Sequence, residues 1–502
     1  MVILLTQKMS QYFNNFIGGK WVDPTSGEFF ENKNPSDINE TIGLFPRSGK
    51  ADIGAAVSAA SAAFDNWRNI PPHERAKIIF EAGRIMSGRK KELAEIISKE
   101  NGKTVKSAMG DVQSAIDMSF FIGGEGYRWY GKTAHSALPQ RFAMTKRYPI
   151  GVVGLIPSWN FPMGLAGWRV FPALFCGNTV VMKSEENTPE SAHRITEILD
   201  EAGLPKGVLN LVHGLGSEAG DALVNHPGVS MISFTGSSKI GSLIGVNCLK
   251  KLAKTSLELG GKNAVIVMND ADIDLAVNGV AAGAFSLSGQ RCTATSRLIL
   301  QDGIYDFFME KLISATAKLK IGPGSDDASD VTPLIGKVQY ERVLNWIEQA
   351  KKDGAKVIRG GEKLEGGVYD KGYYINPTII IDAPPDSAIA QEEIFGPVLV
   401  VFRAQSFDEA VKIANNARYG LSASLFTKDL NKAFTFFDNI QTGVCYINAP
   451  TYGGEPHMPF GGVKDSGLGY REVGWAGVEA YSEVKSIYVD YSAKIQTIQE
   501  KK

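Results

Sequence analysis

The chain has 502 residues, of which 44% are hydrophobic and 21% are charged, values typical of a globular protein with two or three domains. Its 53 basic and 54 acidic residues leave a formal net charge of −1, which argues against a nucleic-acid partner or a polybasic membrane contact. The opening segment has too short an apolar run for a secretory signal, and no apolar stretch approaches the roughly 20 residues that span a bilayer. These observations predict a cytoplasmic protein.

The cysteines and histidines indicate no structural cross-link. Cys176, Cys248, Cys292 and Cys445 are widely scattered and include no C-x-x-C pair. The six histidines form no H-x-x-x-H pattern. Neither a disulfide framework nor a metal site is therefore predicted.

The periodicity of apolar residues predicts an α/β protein. Helical spacing runs through residues 51–110, and from residue 148 short apolar strands alternate with helical segments. The strands are predicted in PIGVVGLIPSW, GNTVVMKS, GVLNLVHG, VSMISFTGS and NAVIVMNDAD. Such alternation favours βαβ units and a mostly parallel sheet, and a second α/β stretch follows over about 260–445. The tail VEAYSEVKSIYVDYS alternates like a strand that pairs with another segment or another subunit.

Two glycine-bearing turns could hold a dinucleotide. HGLGSEAG at 213–220 and FTGSSKIG at 234–241 each follow a strand and open a helix, whose N-terminal N–H groups attract phosphate. Neither has the G-x-G-x-x-G spacing, so ordinary strand-to-helix turns explain them equally well. Lys183 and Glu186 lie just past another strand, where a carboxylate can accept hydrogen bonds from a ribose diol. A solvated, charged loop is the alternative there.

Cys292 stands in the stretch FSLSGQRCTATSRLIL, directly after Arg291. Taken alone, such a cysteine is more often a buried thiol than a nucleophile. Three other stretches carry polar groups suited to catalysis. LELGGK places Glu258 before a glycine turn, IPSWNFP places Asn160 after a strand, and QEEIFGPV contains Glu393.

Ordered motifs over residues 14–490 resemble the aldehyde dehydrogenase superfamily. In chain order they are PSWNFP, GNTVVMKSEENTP, FTGS, LELGGKN, GQRCTA, EEIFGPV, NNARYGLSAS and PFGGVKDSGLG. The resemblance implies that an aldehyde is oxidised to a carboxylic acid through a cysteine hemithioacetal, hydride transfer to NAD(P) and hydrolysis of a thioester. It implies that Cys292 is the nucleophile and Glu258 the general base. The side-chain amide of Asn160 and the backbone N–H of Cys292 would stabilise the oxyanion.

The resemblance further implies a Rossmann-type cofactor domain, an α/β catalytic domain and a small bridging sheet. These would comprise residues 1–128 and 148–258, residues 259–447, and residues 129–147 and 475–495, respectively. The implied cofactor contacts are Trp159, Lys183, Glu186, Gly216, Gly236, Ser237, Ile240, Leu259, Glu393 and Phe395. The carboxylate at position 186 favours NAD because it would repel a 2′-phosphate, and NADP stays an alternative. Tails of this kind pair between subunits, so a homodimer or homotetramer is expected.

The same resemblance implies a substrate tunnel covered by the loop Pro450–Gly462. Its lining residues would be Phe161, Gly164, Leu165, Trp168, Arg291, Thr293 and Phe460. This loop, GQRCTATSR and SIYVDYS are similar to those of dehydrogenases that act on 2-oxoglutarate semialdehyde. Arg291 or another basic residue would then pair with the substrate carboxylate, unless Arg291 is structural and points away. Aliphatic, glyceraldehyde-like and aromatic aldehydes stay open as substrates.

Two other functions are weighed against hydrolytic oxidation. The first is a coenzyme A-acylating dehydrogenase, which is disfavoured because such family members generally lack a glutamate at the position of Glu258. The second is a catalytically silent family member with a structural or ligand-binding role. Silent members usually lose the thiol, the base or the oxyanion amide, and Cys292, Glu258 and Asn160 are all present.

Overall fold

Two large sheets organise the protein in the computed structural model, which describes residues 11–496. The first sheet has eight strands, in the spatial order Gly467–Leu468, Lys254–Glu258, Met231–Thr235, Val152–Ile156, Thr179–Lys183, Leu209–Val212, Asn15–Ile17 and Lys20–Val22. Its five central strands run parallel, and the outer ones pair antiparallel. The prediction of βαβ units around a mostly parallel sheet is therefore confirmed.

Both faces of the first sheet are covered, as its strand sequences require. Val152–Ile156 is buried along its whole length, which is typical of a parallel strand between two helical layers. Val153 and Leu155 face one hydrophobic core, whereas Val152 and Ile156 face another on the opposite side. This alternation follows from the two-residue period of a strand.

The second sheet repeats this arrangement with seven strands. In spatial order they are Lys356–Arg359, Thr378–Ile381, Val398–Ala404, Thr295–Gln301, Asn263–Val267, Ser422–Phe426 and Val444–Ile447. All the pairs are parallel except the one made by the edge strand Lys356–Arg359. Ala264 and Ile266 pack into one core and Val265 and Val267 into another, so this sheet also separates two helical layers.

The helices of the described residues connect and cover these sheets. The first group is Lys50–Asn69, Pro72–Gly88, Lys90–Asn101, Val105–Gly124, Pro162–Phe175, Pro189–Glu201, Asp221–Asn225 and Ser238–Lys250. The second group is Ile273–Phe285, Tyr305–Ala317, Lys337–Lys352, Ala388–Gln391, Phe407–Asn415, Leu430–Asn439 and Gly474–Ala480. Within residues 11–496, no helix combines the length and apolar character needed to cross a membrane.

Three small sheets complete the fold. One contains Gln11–Tyr12, Asp37–Pro46 and Phe29–Asn34, and another joins Tyr419–Gly420 to Val463–Lys464. The third contains Ser482–Asp490, Arg141–Pro149 and Thr133–His135, with Ser482–Asp490 at its edge.

The tail forms a strand that pairs with another segment of the chain, as predicted, but the strand is shorter than the sequence pattern indicates. It runs over Ser482–Asp490 and pairs antiparallel with Arg141–Pro149. The preceding residues belong to the helix Gly474–Ala480, so the prediction that the strand begins at Val478 is wrong. Val478 and Ala480 are both buried in the core that contains the helix Pro162–Phe175, because this short helix is enclosed on more than one side.

Candidate active site

Cys292 lies in a tight turn between the helix Ile273–Phe285 and the strand Thr295–Gln301. The turn depends on Gly289, which has a φ of +67° and leaves no room for a side chain, because a Cβ there would lie 2.1 Å from the carbonyl oxygen of Gly396. The side-chain amide of Asn263 donates to the Cys292 carbonyl at 2.8 Å and so holds the turn against the neighbouring strand. The thiol-bearing residue is partly exposed rather than enclosed in a core.

Two cavities meet at this turn, and Cys292 and Asn160 line both of them. We call them the cofactor-side cavity, of about 240 Å³, and the substrate-side cavity, of about 450 Å³. The cofactor-side cavity is lined by Ser158, Trp159, Asn160, Thr235, Gly236, Ser237, Leu259, Gly260, Cys292, Gln339, Arg342, Glu393 and Phe395. The substrate-side cavity is lined by Lys106, Ser107, Gly110, Ser114, Asn160, Phe161, Gly164, Leu165, Trp168, Arg291, Cys292, Thr293, Tyr452, Gly453, Gly454 and Phe460.

The geometry of the first sheet explains why the cofactor-side residues converge. Asn160, Gly236 and Leu259 each follow one of its parallel strands, which end at Ile156, Thr235 and Glu258. The carboxyl ends of parallel strands lie at one edge of a sheet, the usual place for a ligand in this architecture. Side chains that are distant in sequence are thereby brought around one cavity.

Asn160 is 4% exposed and lies in the turn before the helix Pro162–Phe175. Its side-chain oxygen Oδ1 is buried and has no hydrogen-bond partner among the described residues. A buried polar atom without a partner is costly, which is a mark of a site that binds a ligand. The Oδ1 atom is therefore available to accept a hydrogen bond.

Glu258 is the last residue of the strand Lys254–Glu258 and is 5% exposed. Burial and the neighbouring carboxylate of Glu472 raise its pKa well above the usual value, against the opposing charges of Arg169 and Arg471. Its atom Oε2 has no hydrogen-bond partner within the described part of the chain. Glu258 does not belong to the described lining of either cavity. Its negative charge nevertheless raises the pKa of the Cys292 thiol.

The Cys292 thiol is strongly stabilised in its protonated form. Burial raises its pKa to about 12, and the negative charges of Glu393 and Glu258 act in the same direction. Backbone N–H groups of Cys292 and Thr293 favour the thiolate and oppose this shift. A base must therefore remove the proton before this sulfur can act as a nucleophile.

Glu393 lines the cofactor-side cavity. Its Oε1 accepts a hydrogen bond from the backbone N–H of Gly261 at 3.0 Å. Burial raises its pKa to about 7, which the Gly261 bond and the charges of Arg342 and Lys262 only partly offset. Nearby, the rings of Trp159 and Phe395 meet edge to face with centroids 5.2 Å apart.

The remaining predicted cofactor residues form two adjoining groups. Lys183 is 2% exposed, and its Nζ lies 2.7 Å from Glu186 Oε2. A Cβ on Gly216 would lie 3.8 Å from the Glu186 carboxylate, so Lys183, Glu186 and Gly216 lie close together. In the other group, Ser237 caps the helix Ser238–Lys250 by accepting a hydrogen bond from the N–H of Ile240, whose side chain is exposed. This helix N-terminus is suited to bind phosphate.

The predicted tunnel residues converge on the substrate-side cavity. Phe161, Gly164, Leu165, Trp168, Arg291, Thr293 and Phe460 all line it. The Trp168 and Phe460 rings pack with centroids 5.3 Å apart. The covering loop is attached beside the thiol, because Thr451 Oγ1 donates to the Thr293 carbonyl at 2.7 Å.

Arg291 lines the substrate-side cavity. Its Nη1 donates to Ser286 Oγ at 2.7 Å, and its Cζ lies 4.2 Å from the centre of the Tyr452 ring. These contacts leave other guanidinium donors for a ligand, since arginine has five N–H groups.

Sequence reasoning missed several lining residues. Gln339 and Arg342, from the helix Lys337–Lys352, line the cofactor-side cavity. Lys106, Gly110 and Ser114, on the helix Val105–Gly124, line the substrate-side cavity. The second set is spaced four residues apart on one helical face, which is the signal that could have revealed it.

Among residues 11–496, no group of three or more His, Cys, Asp or Glu side chains is placed to hold a metal ion. The cysteines Cys176, Cys248, Cys292 and Cys445 are all free.

Comparisons with known proteins agree with this architecture. The family model described as "Aldehyde dehydrogenase family" matches residues 21–487. The alpha-ketoglutaric semialdehyde dehydrogenase of Bacillus subtilis is 42% identical over 475 residues, covering 95% of this chain and 97% of the relative. The alpha-ketoglutarate semialdehyde dehydrogenase of Haloferax volcanii is 39% identical over 484 residues, covering 96% and 100%. A crystal structure of betaine aldehyde dehydrogenase from Staphylococcus aureus in complex with NAD+ superposes with a TM-score of 0.94 at 32% identity, covering 97% of both chains.

The fold and these likenesses define an NAD(P)-dependent oxidoreductase that converts aldehydes to carboxylic acids. The chain belongs to the aldehyde dehydrogenase family. The predictions of the fold class, the reaction class and a nicotinamide cofactor are thus confirmed.

Proposed function

We propose that this protein oxidises 2-oxoglutarate semialdehyde to 2-oxoglutarate with NAD, using Cys292 as the nucleophile. The observation that supports the mechanism most is that Cys292 and Asn160 line both cavities. The reacting carbon must meet the thiol, the oxyanion donors and the hydride acceptor in one geometry. The position of Cys292 and Asn160 where the two cavities meet supports such an arrangement.

Glu258 is the proposed base for Cys292. With a pKa of about 12 the thiol is protonated at neutral pH. The raised pKa of Glu258 makes its carboxylate a stronger proton acceptor than an exposed glutamate. Proton transfer from Cys292 Sγ to Glu258 requires the carboxylate to approach the thiol.

The steps then balance around one carbon atom. The thiolate of Cys292 forms a bond to the aldehyde carbon, and the carbonyl π electrons move to oxygen, where the Asn160 amide and the Cys292 N–H donate hydrogen bonds. NAD, when bound, supplies the hydride acceptor. With the hydride removed, a thioester remains on Cys292. Once Glu258 has released the first proton to solvent, it takes a proton from water, and the resulting hydroxide attacks the thioester. The carbon–sulfur bond then breaks to release the acid, and the leaving thiolate of Cys292 regains a proton from Glu258.

The cofactor fits three groups of residues in this chain. Ser237 and Gly236, at a helix N-terminus, suit the phosphates, with Ile240 and Leu259 beside them. The adenosine is assigned to Lys183, Glu186 and Gly216, where a carboxylate favours NAD over NADP. The nicotinamide half is assigned to Trp159, Glu393 and Phe395.

Arg291 is the proposed partner of the substrate carboxylate. It is a cation adjacent in sequence to Cys292, in a cavity that also contains several aromatic rings and a second cation, Lys106, on the helix Val105–Gly124. A charge-assisted bond to a carboxylate is stronger than a neutral one. The names of the Bacillus and Haloferax relatives support a substrate of this kind.

We also propose a cytoplasmic homodimer or homotetramer with the domain limits predicted above. Ser482–Asp490 lies at the edge of its sheet and exposes Val484 and Tyr488, so it has an unpaired side for a second copy. The helix Ser238–Lys250 exposes Leu243 and Leu249 in addition. Sedimentation of the intact protein tests this assembly, and a monomer at micromolar concentration contradicts it.

Initial rates test the proposed reaction. We expect the highest kcat/KM with 2-oxoglutarate semialdehyde and NAD, a lower value with NADP, and no requirement for coenzyme A. Pentanal and benzaldehyde serve as neutral comparisons. Equal efficiency with pentanal contradicts the proposed substrate, and an acyl-coenzyme A product contradicts the role of Glu258.

A further inference from the structure

A buried lysine holds the turn that carries Asn160. Lys103 Nζ donates to the backbone carbonyl of Asn160 at 2.7 Å and to Asp111 Oδ2 at 3.1 Å. The ammonium group also lies 4.3 Å from the centre of the Phe161 ring, a cation–π distance. Its contacts are therefore directed to the turn, which is distant from it in sequence.

Asp111 holds the other end of the same turn. Its Oδ1 accepts a hydrogen bond from the backbone N–H of Gly164 at 2.6 Å, at the start of the helix Pro162–Phe175. A Cβ on Gly164 would lie 3.0 Å from this oxygen, so a glycine permits the close approach. Through Lys103 and Asp111, the carbonyl of Asn160 and the first turn of the helix are connected by one ion pair.

This ion pair is costly to bury. The side chains of Lys103 and Asp111 are 1% and 0% exposed. Burial lowers the pKa of Lys103 and raises that of Asp111, although each charge opposes the shift of the other. Because desolvation offsets much of the attraction in such pairs, their presence is weak evidence for a contribution to stability. A role in fixing local geometry explains the pair better.

We propose that Lys103 and Asp111 are positioning residues that hold Asn160 where its amide can stabilise the oxyanion. The inference rests on the oxyanion role assigned to Asn160 in the proposed function. Such stabilisation requires donors that are already oriented before the reaction. Neither Lys103 nor Asp111 lines the described cavities, so both act through the turn.

The decisive variant removes both charges together. Lys103→Met with Asp111→Asn leaves no unpaired buried charge, and the asparagine keeps an oxygen acceptor for Gly164. We expect kcat/KM to fall about 10²-fold, the effect of a misplacement near 1 Å, whereas the Kd for NAD and the unfolding midpoint stay close to those of the unmodified protein.

Glu100→Gln is the matched control. Glu100 is 1% exposed and lies in the same segment, but its carboxylate accepts from the N–H groups of Glu190 and Ser191 at 2.9 and 3.0 Å. It makes no described hydrogen bond to the Asn160 turn, so kcat/KM should stay within about twofold of the original value. An equal loss in this control contradicts a specific role for the pair.

A double-mutant cycle separates positioning from a general structural effect. In an Asn160→Ala background, the Lys103→Met and Asp111→Asn changes should cost no more than about a further threefold, because the donor they position is gone. A full multiplicative loss, or no loss when Asn160 is intact, overturns the inference. If Asn160→Ala alone keeps full activity, the oxyanion role itself fails instead. Lys103→Leu with Asp111→Asn, which also leaves no unpaired buried charge, is the second variant if the first double change does not fold, and the same cycle applies to it.

Discussion

The two cavities that meet at Cys292 are built in different ways. The cofactor-side cavity draws many of its walls from turns after parallel strands of the first sheet, as at Gly236 and Leu259. The substrate-side cavity takes its walls from the helix Val105–Gly124 and from the loop Pro450–Gly462, which are far apart in sequence. One cavity follows from the sheet architecture, and the other depends on how separate segments pack.

The two cavities also differ in the chemical character of their lining residues. The cofactor-side cavity includes the carboxylate of Glu393, which a backbone N–H orients. The substrate-side cavity is dominated by rings such as those of Trp168 and Phe460, with the guanidinium of Arg291 near the thiol. This contrast indicates that cofactor recognition and aldehyde specificity can be altered separately.

The largest expected effect comes from a substitution at the junction between the two cavities. Cys292→Ser should reduce aldehyde-dependent NADH formation by about 10⁴-fold or more, because the covalent route is lost. NAD binding, measured by titration calorimetry, should be retained. Cys445→Ser, at a free cysteine outside both described linings, is the control and should keep its activity. Undiminished turnover by Cys292→Ser removes the mechanism.

The next effect tests Glu258 at the same junction. Its pKa is raised, and the base must be deprotonated, so kcat/KM should rise with pH through the Glu258 pKa and be lost as pH falls below it. Glu258→Gln should lower the rate by about 10²–10⁴-fold. A pH profile recorded for both proteins checks this, and an unchanged rising limb in Glu258→Gln assigns the titration to another group.

A smaller effect is confined to the substrate-side cavity. Arg291→Met should reduce kcat/KM for 2-oxoglutarate semialdehyde by about 10- to 100-fold, the worth of a charge-assisted hydrogen bond. The value for pentanal should change far less. Arg403→Met is the control, because Arg403 forms exposed ion pairs with Asp302 and Asp306. Equal losses for both aldehydes would mean that Arg291 acts on the turn rather than on the carboxylate.

The smallest expected effect is on the choice between NAD and NADP. Glu186→Gln removes the charge that would repel a 2′-phosphate, so the ratio of kcat/KM with NADP to that with NAD should rise about tenfold. Glu197→Gln, a partly buried carboxylate paired with Arg194, is the control. An unchanged ratio shows that Glu186 does not discriminate between the cofactors.

The contrast between the cavities also explains what the sequence could predict. The alternation of strands and helices predicts that residues after successive strands converge, and Asn160, Gly236 and Leu259 do so. Cys292 joins them because its turn ends in a strand of the second sheet, parallel to Asn263–Val267. Its chemical role was indicated by the accompanying motifs rather than by its own position.

Other features depend on packing that no local pattern encodes. The direction of Arg291 is determined by Ser286 and Tyr452, and Tyr452 lies on a distant loop. The helix residues Lys106 and Ser114 reach the substrate-side cavity only through tertiary contacts. The sequence did not predict that the helix Gly474–Ala480 includes Val478. This residue fits either a strand or a helix until its buried neighbours are known.

Mass spectrometry of trapped enzyme tests the central claim most directly. Unmodified enzyme, mixed with 2-oxoglutarate semialdehyde and NAD and quenched in acid during turnover, should carry the acyl group as a thioester, whereas Cys292→Ser should carry none. We predict that the added mass lies on the peptide containing Cys292 and is released by hydroxylamine. Acylation of a different residue, or acid production with no covalent adduct at any time, contradicts the account.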